Sequence, residues 1–223
     1  EVPSQTFMNR SFWTAATSSG LVTNSPMTKW FTKNDAETIF ERLEAHGKTW
    51  KVYVMEPMPL SFHGIIHYSR LKDRLATNVV PFAEFERDAA AGTLPGFSFI
   101  EPNFISGHGD YHPAFGRSFV GFNVDPMDPP SSMLAGEAFL ERVFNAYRSS
   151  TSESGTNVWN TALLIGWDEP GGTYDHVPPG AVPPPDPDAP AGELGFTFDR
   201  SGYRVPAILA SPWIPKGSVF NDE

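Results

Sequence analysis

Apolar residues along the chain are spaced alternately as in helices and as in strands. Within residues 36–45 they recur at helical spacing, and either Asn34 or Asp35 can cap the start of that helix. Gly47 follows the last apolar position and is expected to end the helix. Residues 50–55 then alternate, which predicts a strand.

The same pattern continues towards the C-terminus. Residues 82–91 predict a second helix that ends at Gly92, and residues 96–101 predict the strand after it. A third helix is predicted over about residues 133–148, followed by a strand over residues 161–167. Helices that alternate with strands in this way predict an α/β fold with a mostly parallel sheet and helices on both faces.

Two acidic residues stand just after an apolar run. Residues 161–165 are typical of a buried parallel strand, and residues 205–211 predict another buried strand. Asp168 and Glu169 lie where the first of these strands ends, and ligands of open α/β sheets bind beyond the carboxyl ends of strands. Carboxylate oxygens suit a hard divalent cation. The sequence therefore predicts half of a metal site, although an Asp-Glu pair taken alone is more often solvated surface or a turn.

The segment 177–190 is rich in proline and cannot form a helix or a central strand, because its prolines lack backbone donors. It is predicted to be a loop. Since it directly follows residues 174–176, we expect it either to form one wall of a site or to cross the surface as a stiff connection.

Composition excludes several classes of function. The formal net charge is −10 and the 16 Lys and Arg residues are scattered, which argues against general nucleic-acid binding. The absence of Cys excludes disulfides, thiolate zinc sites and thiol nucleophiles. The chain has no run of 18 uncharged apolar residues, so no transmembrane segment is predicted, and its 223 residues favour one domain.

Five stretches carry a resemblance that spans nearly the whole chain. Among their sequences are Thr-Phe-Met-Asn-Arg, Gly-Asp-Tyr-His-Pro and Asp-Glu-Pro-Gly-Gly-Thr-Tyr-Asp-His. The stretches occupy residues 2–10, 89–95 with 97–102, 109–113, 168–178, and 198–206 with 211–217. Together they resemble the bacterial phospholipase C and acid phosphatase family of phosphoesterases, which includes the plant non-specific phospholipases C. The resemblance implies an alkaline-phosphatase-like α/β fold. It also implies hydrolysis of a small-molecule or phospholipid phosphate ester by a hydroxyl nucleophile beside a divalent metal ion.

Thr6 matches the position of the family's nucleophile, with Met8 where proline is usual. A threonine hydroxyl attacks poorly at neutral pH, so this chemistry needs a metal ion and helix-terminal amides that receive the phosphoryl oxygens. From the residues alone, Thr6 is more often a cap for a helix that starts at Phe7.

The resemblance assigns Asp168 and Glu169 as metal ligands, and the hydroxyl of Thr6 is expected to contact the same metal ion. Pro170 stands where His is frequent in the family, which removes a side chain able to contact phosphate. The reaction type is therefore better defined than the substrate.

Further residues are assigned by the same resemblance. His112 corresponds to the histidine of the family's Asp-His-Pro motif and is expected to contact the phosphate or to protonate the leaving oxygen, for which its ordinary pKa near neutrality is suitable. Asn9 and His176 are predicted to bind substrate, although His176 equally suits orienting Asp175 or ordering the proline-rich loop. Arg10 is interpreted as a structural salt-bridge partner, because an Arg one turn into a helix more often has that role.

Residues 1–223 are predicted to form a single catalytic domain. The family begins with a Glu-Asn-Arg-Ser-Phe-Asp-like segment that completes the metal shell and ends with a Glu-His-Ser-Ser-like stretch, and we expect this chain to lack both. Two hypotheses remain: a hydrolase of phospholipase C or acid phosphatase type, or a catalytically incompetent binding or structural module of the same fold. The resemblance also implies a periplasmic or secreted location.

Overall fold

A three-stranded parallel sheet organises the fold. In the computed structural model, β1 (Trp50–Val54) pairs with β2 (Val79–Pro81) on one side and with β3 (Phe97–Glu101) on the other. Val52 lies opposite Val79 in the first pair and opposite Phe99 in the second. The structure describes residues 2–55, 61–104, 109–111, 118–119, 122–123 and 133–220.

Helices cover both faces of this sheet. The α-helices of the described residues are α1 (Thr6–Ala15), α2 (Trp30–Lys33), α3 (Ile39–Ala45), α4 (Phe62–Ile66), α5 (Tyr68–Leu71), α6 (Leu75–Asn78), α7 (Phe82–Ala91) and α8 (Met133–Tyr147). Val52 and Val54 pack with Phe40 of α3 and Leu71 of α5, whereas Tyr53 packs with residues of α7 and α8. Successive strand residues point to opposite faces, so β1 is buried on both. The predicted α/β fold is confirmed.

Three predicted elements have nearly the expected bounds. The helix α7 ends at Gly92, whose φ of 71° is the left-handed conformation that glycine adopts readily. An added Cβ at Gly92 would lie only 2.4 Å from Ser152 Cβ, so the position also needs a residue without a side chain. Strand β3 and helix α8 likewise agree with their predictions to within one residue at each end.

The start of α3 differs from the prediction. Thr38, not Asn34 or Asp35, caps this helix, and it forms a capping box in which Thr38 and Glu41 bond each other's backbone N–H groups. Asn34 is fully buried, and its side-chain amide donates to the Ile66 carbonyl at 2.9 Å. Asn34 therefore forms an interior hydrogen bond in the tertiary fold and does not cap α3.

The predicted strands near the C-terminus pair with each other. β6 (Leu163–Gly166) and β7 (Ala207–Ala210) form an antiparallel pair in which Leu164 lies opposite Leu209. Leu164 is 49% exposed and Leu209 is 46% exposed. Strands are confirmed at both predicted places, but neither is buried as expected. The prediction that the strand at 161–165 is parallel is wrong, because an apolar run carries no information about strand direction. Another short antiparallel pair joins β4 (Ser118–Phe119) and β5 (Phe122–Asn123).

The proline-rich segment 177–190 contains neither a helix nor a strand. Its one ladder contact is an isolated bridge between Ala181 and Arg200. The loop prediction is confirmed. None of the helices in the described ranges is both long and apolar enough to cross a bilayer.

A buried histidine links α1 to the helices beside it. His67 is fully buried, with Nε2 2.7 Å from Thr14 Oγ1 and Nδ1 3.3 Å from Asn34 Nδ2. Because Thr14 donates its hydroxyl proton to the Arg10 carbonyl, these contacts suit a neutral ring that carries its proton on Nε2. Burial lowers the pKa of His67 to about 4.

We expect the free energy of unfolding to fall as the pH drops from about 6.5 towards 4, because His67 stays neutral when folded and takes up a proton when unfolded. Between about pH 7 and about pH 5.5, this residue should account for a loss of about 1 kcal/mol, measurable by urea unfolding. His67→Gln should remove that part of the pH dependence. An equal dependence in the variant and the parent protein would contradict the assignment.

Candidate active site

A cavity of about 360 Å³ lies along β3 and β6 and extends to the residues that follow β6. Phe99, Val143 and Ile165 are among its apolar lining residues. The polar and charged side chains in its lining include Thr6, Arg10, Asp168 and Glu169. The predicted nucleophile and both predicted metal ligands therefore line the same cavity, which makes it the candidate active site.

Thr6 contacts one of the two predicted metal ligands. It is the first residue of α1, and its Oγ1 donates a hydrogen bond of 2.6 Å to Glu169 Oε1. The N-cap of α1 is Gln5, so Thr6 is not the helix cap that the alternative interpretation required. The positive end of the α1 dipole lies beside this hydroxyl and favours negative charge there.

Apolar packing sets the position of Thr6. The next two residues of α1, Phe7 and Met8, are buried in one cluster with Trp30 and Phe62. The Phe7 ring makes edge contacts with both aromatic rings, at centroid distances of 5.7 Å to Trp30 and 5.2 Å to Phe62. Met8, which stands where the family usually carries proline, is fully buried. The start of α1 is thus held by its apolar face while Thr6 faces the cavity.

Arg10 joins the site to the central sheet. Its Nε donates to Asp168 Oδ2 at 3.0 Å, and its Nη1 lies 3.4 Å from Glu101 Oε1. The guanidinium carbon lies 4.9 Å from the ring centroid of Phe104, which adds a cation–π contact. The interpretation of Arg10 as a salt-bridge partner is confirmed, but one of its two partners is a predicted metal ligand.

Glu101 is a site residue that sequence reasoning missed. It ends β3 and is fully buried, and its carboxylate accepts the backbone N–H groups of Phe62 at 3.1 Å and His63 at 3.2 Å. Burial raises the pKa of Glu101, while Arg10 and these N–H donors act in the opposite direction. The signal that could have found it is its place at the end of a predicted strand, within a stretch that resembles the family.

His63 adjoins this carboxylate in an apolar environment. It is fully buried, its Nε2 lies 3.9 Å from Glu101 Oε1, and its ring packs edge-on against Phe99. Neither ring nitrogen has a hydrogen-bond partner among the described residues. Burial, together with the charge of Arg10, holds the pKa of His63 well below its usual range, so the ring is neutral.

Asn9 lies outside the cavity lining. Its side-chain oxygen accepts the Val2 N–H at 2.7 Å, and its amide nitrogen donates to the Ser4 carbonyl at 3.1 Å. These two bonds close the turn that leads into α1. The substrate-binding role of Asn9 stays a prediction, since these contacts serve the backbone near Thr6.

His176 also lies apart from the cavity. The exposed fraction of its side chain is 82%, and its Nδ1 lies 3.8 Å from Asp175 Oδ1. Asp175 forms a two-bond pair with Arg204 and accepts the Val177 N–H, and Arg204 chiefly holds the pKa of this carboxyl below its usual range. None of residues 177–190 lines the cavity, so the proline-rich loop is a surface connection and not a wall of this site.

His112 falls outside the described residues, and its predicted role stays a prediction. The described neighbours Asp110 and Tyr111 line the cavity, as does Pro170, which replaces the family's frequent histidine.

The donor set suits a hard divalent cation but is small. Asp168 and Glu169 offer carboxylate oxygens and Thr6 offers a hydroxyl, which are ligand types that Mg²⁺, Ca²⁺ and Mn²⁺ accept. Within the described part of the chain, no three His, Asp or Glu side chains are arranged around one metal position. Arg10 already compensates part of the negative charge. These residues fit part of a coordination shell.

Comparison with known proteins identifies relatives over the whole chain. Residues 1–223 match the model of the Phosphoesterase family. The chain is 34% identical to non-specific phospholipase C1 of Arabidopsis thaliana and 31% identical to non-specific phospholipase C3 of the same plant, with 99% of this chain aligned in each case. It is 27% identical to phospholipase C A of Mycobacterium tuberculosis, with 78% of this chain aligned.

The chain covers only part of these relatives. The alignments span 38% of phospholipase C1, 39% of phospholipase C3 and 33% of the mycobacterial protein. The resemblance found in the sequence motifs is confirmed.

Proposed function

Because the chain belongs to the phosphoesterase family, we propose that it contributes the nucleophile and two metal ligands to a hydrolase that cleaves phosphate esters. The observation that carries this proposal is the 2.6 Å hydrogen bond from Thr6 Oγ1 to Glu169 Oε1 at the cavity. A hydroxyl beside a carboxylate and a helix N-terminus is the arrangement that an activated oxygen nucleophile needs.

In the proposed reaction, the Thr6 oxygen attacks phosphorus and its proton passes to the Glu169 carboxylate that accepts its hydrogen bond. The bond from phosphorus to the leaving oxygen breaks, and that oxygen takes a proton that we assign to His112. Water then hydrolyses the phosphothreonine. A divalent cation held by Asp168, Glu169 and Thr6 would neutralise charge that develops on the phosphoryl oxygens.

Among phosphate esters, a phospholipid is the substrate that the relatives favour, since those named above are phospholipases C. A simple phosphate monoester is the second candidate, of acid phosphatase type. A periplasmic or secreted location is also proposed, on the family resemblance.

One observation favours the alternative of a binding or structural module. In the described part of the chain, Asp168 is already paired with Arg10, and no third acidic or histidine ligand stands at the predicted metal position. A module of this kind would keep the fold without holding a metal ion tightly.

Replacing the nucleophile gives the most direct test. In the complete protein, Thr6→Ala should lower the rate of phosphate ester hydrolysis at least about a thousandfold, because it removes the hydroxyl that bonds Glu169 at the cavity. Thr6→Ser is the matched control, since it keeps the hydroxyl and should retain most of the activity. Hydrolysis by Thr6→Ala at the parent rate would rule out Thr6 as the nucleophile.

Metal dependence can be measured on the same protein. Removal of divalent cations with a chelator should abolish hydrolysis, and calorimetry with Ca²⁺, Zn²⁺, Mg²⁺ and Mn²⁺ should show binding that Asp168→Asn or Glu169→Gln weakens at least about tenfold. Asp186→Asn, on an exposed loop, serves as the control. Absence of binding to the parent protein would favour the binding or structural module.

The two substrate classes differ in a measurable product. If the protein is of phospholipase C type, it should release phosphocholine from phosphatidylcholine faster than it hydrolyses a chromogenic phosphate monoester. The opposite order of rates would favour the acid phosphatase type.

A further inference from the structure

The spacing along α1 matches the spacing of the acidic pair. Thr6 and Arg10 are four residues apart and therefore lie on the same face of the helix. Thr6 bonds Glu169 and Arg10 bonds Asp168, so two positions one turn apart hold two adjacent carboxylates. The register between α1 and the acidic pair thus depends on both contacts.

Arg10 is itself held firmly. Its side chain is only 10% exposed, and its second partner, Glu101, is fully buried. The Glu101 carboxylate is bound in turn by the backbone N–H groups of Phe62 and His63. A guanidinium fixed in this way can act as an anchor, because it cannot follow Asp168 if that side chain moves.

The contact between Arg10 and Asp168 has two opposite consequences. Arg10 occupies Oδ2 of Asp168, and Oδ1 has no hydrogen-bond partner among the described residues. The bond from Arg10 therefore fixes the rotation of the Asp168 carboxylate relative to Thr6. The positive charge of Arg10 also opposes any second cation bound to the same carboxylate, since like charges a few ångströms apart repel.

We propose that Arg10, anchored on Glu101, is a positioning residue that holds Asp168 and Glu169 in register with Thr6, and that it weakens divalent-cation binding at these carboxylates in doing so. This inference rests on the proposed function only for the role of Thr6. The effect on cation affinity follows from charge and geometry alone.

The test separates positioning from general damage by measuring two quantities that should move in opposite directions. In the complete protein, Arg10→Ala should lower kcat about a hundredfold, because the reacting groups lose their register, with a smaller change in KM. Calorimetry with Mn²⁺ alone should show binding that is tighter by at least about threefold, because a like charge has been removed. Arg42→Ala, which removes an exposed arginine paired only with Glu37 in the described structure, should change neither quantity.

A second variant keeps the test decisive if Arg10→Ala does not fold. Arg10→Lys retains the charge but lacks the planar fork that reaches both carboxylates, so kcat should fall about tenfold. Its Mn²⁺ affinity should remain within about twofold of the parent value, because the charge is kept.

Two results would overturn the proposal: an unchanged kcat in either folded variant, or weaker Mn²⁺ binding together with a lower kcat in Arg10→Ala. Failure of the proposed function is recognised separately. Full activity of Thr6→Ala would remove Thr6 from the reaction, while tighter Mn²⁺ binding by Arg10→Ala would still report the effect of Arg10 on the carboxylates.

Discussion

The geometry of the site depends on two ion pairs of Arg10, one with Glu101 and one with Asp168. Glu101 is fully buried at the end of β3, where an unpaired carboxylate would be costly to ionise. Arg10 and two backbone N–H groups compensate it. The other bond of Arg10 reaches Asp168, which follows β6. Since β3 and β6 belong to different sheets of the described structure, Arg10 links the ends of two strands that do not pair with each other.

Packing in the surrounding fold holds α1 where Arg10 can reach both carboxylates. α1 is buried through Phe7 and Met8 in an aromatic cluster, and this packing leaves Thr6 and Arg10 towards the cavity. β1 is covered on both faces, so the sheet that carries Glu101 is held by close packing on each side. The proposed nucleophile and the two predicted metal ligands are thus positioned by packing that takes no part in the proposed chemistry. Changes in these clusters would affect the site indirectly, through the register between α1 and the acidic pair.

Predictions from sequence succeeded where local signals were sufficient. The helix α7 has its expected bounds because a single residue, Gly92, ends it by adopting a left-handed conformation. The predicted start of α3 was wrong, because buried Asn34 bonds the Ile66 carbonyl and Thr38 caps the helix instead. β6 was expected to be parallel and both β6 and β7 were expected to be buried, yet they form a partly exposed antiparallel pair. Strand direction depends on the path of the intervening chain, which local spacing does not specify.

By itself, the sequence determined the fold class, the helices with clear caps, the family and the types of residue that we propose for the chemistry, since these depend on short motifs and on spacing along the chain. Only the tertiary structure decided that Thr6 bonds Glu169, that Arg10 and Glu101 belong to the site, and that Asn9 and His176 lie away from the cavity. The contacts of Thr6 and Arg10 with the three carboxylates of the site join residues between 91 and 163 positions apart. The physical reason is that such pairings arise from the packing of α1, β3 and the segment after β6 against one another, which no local pattern contains.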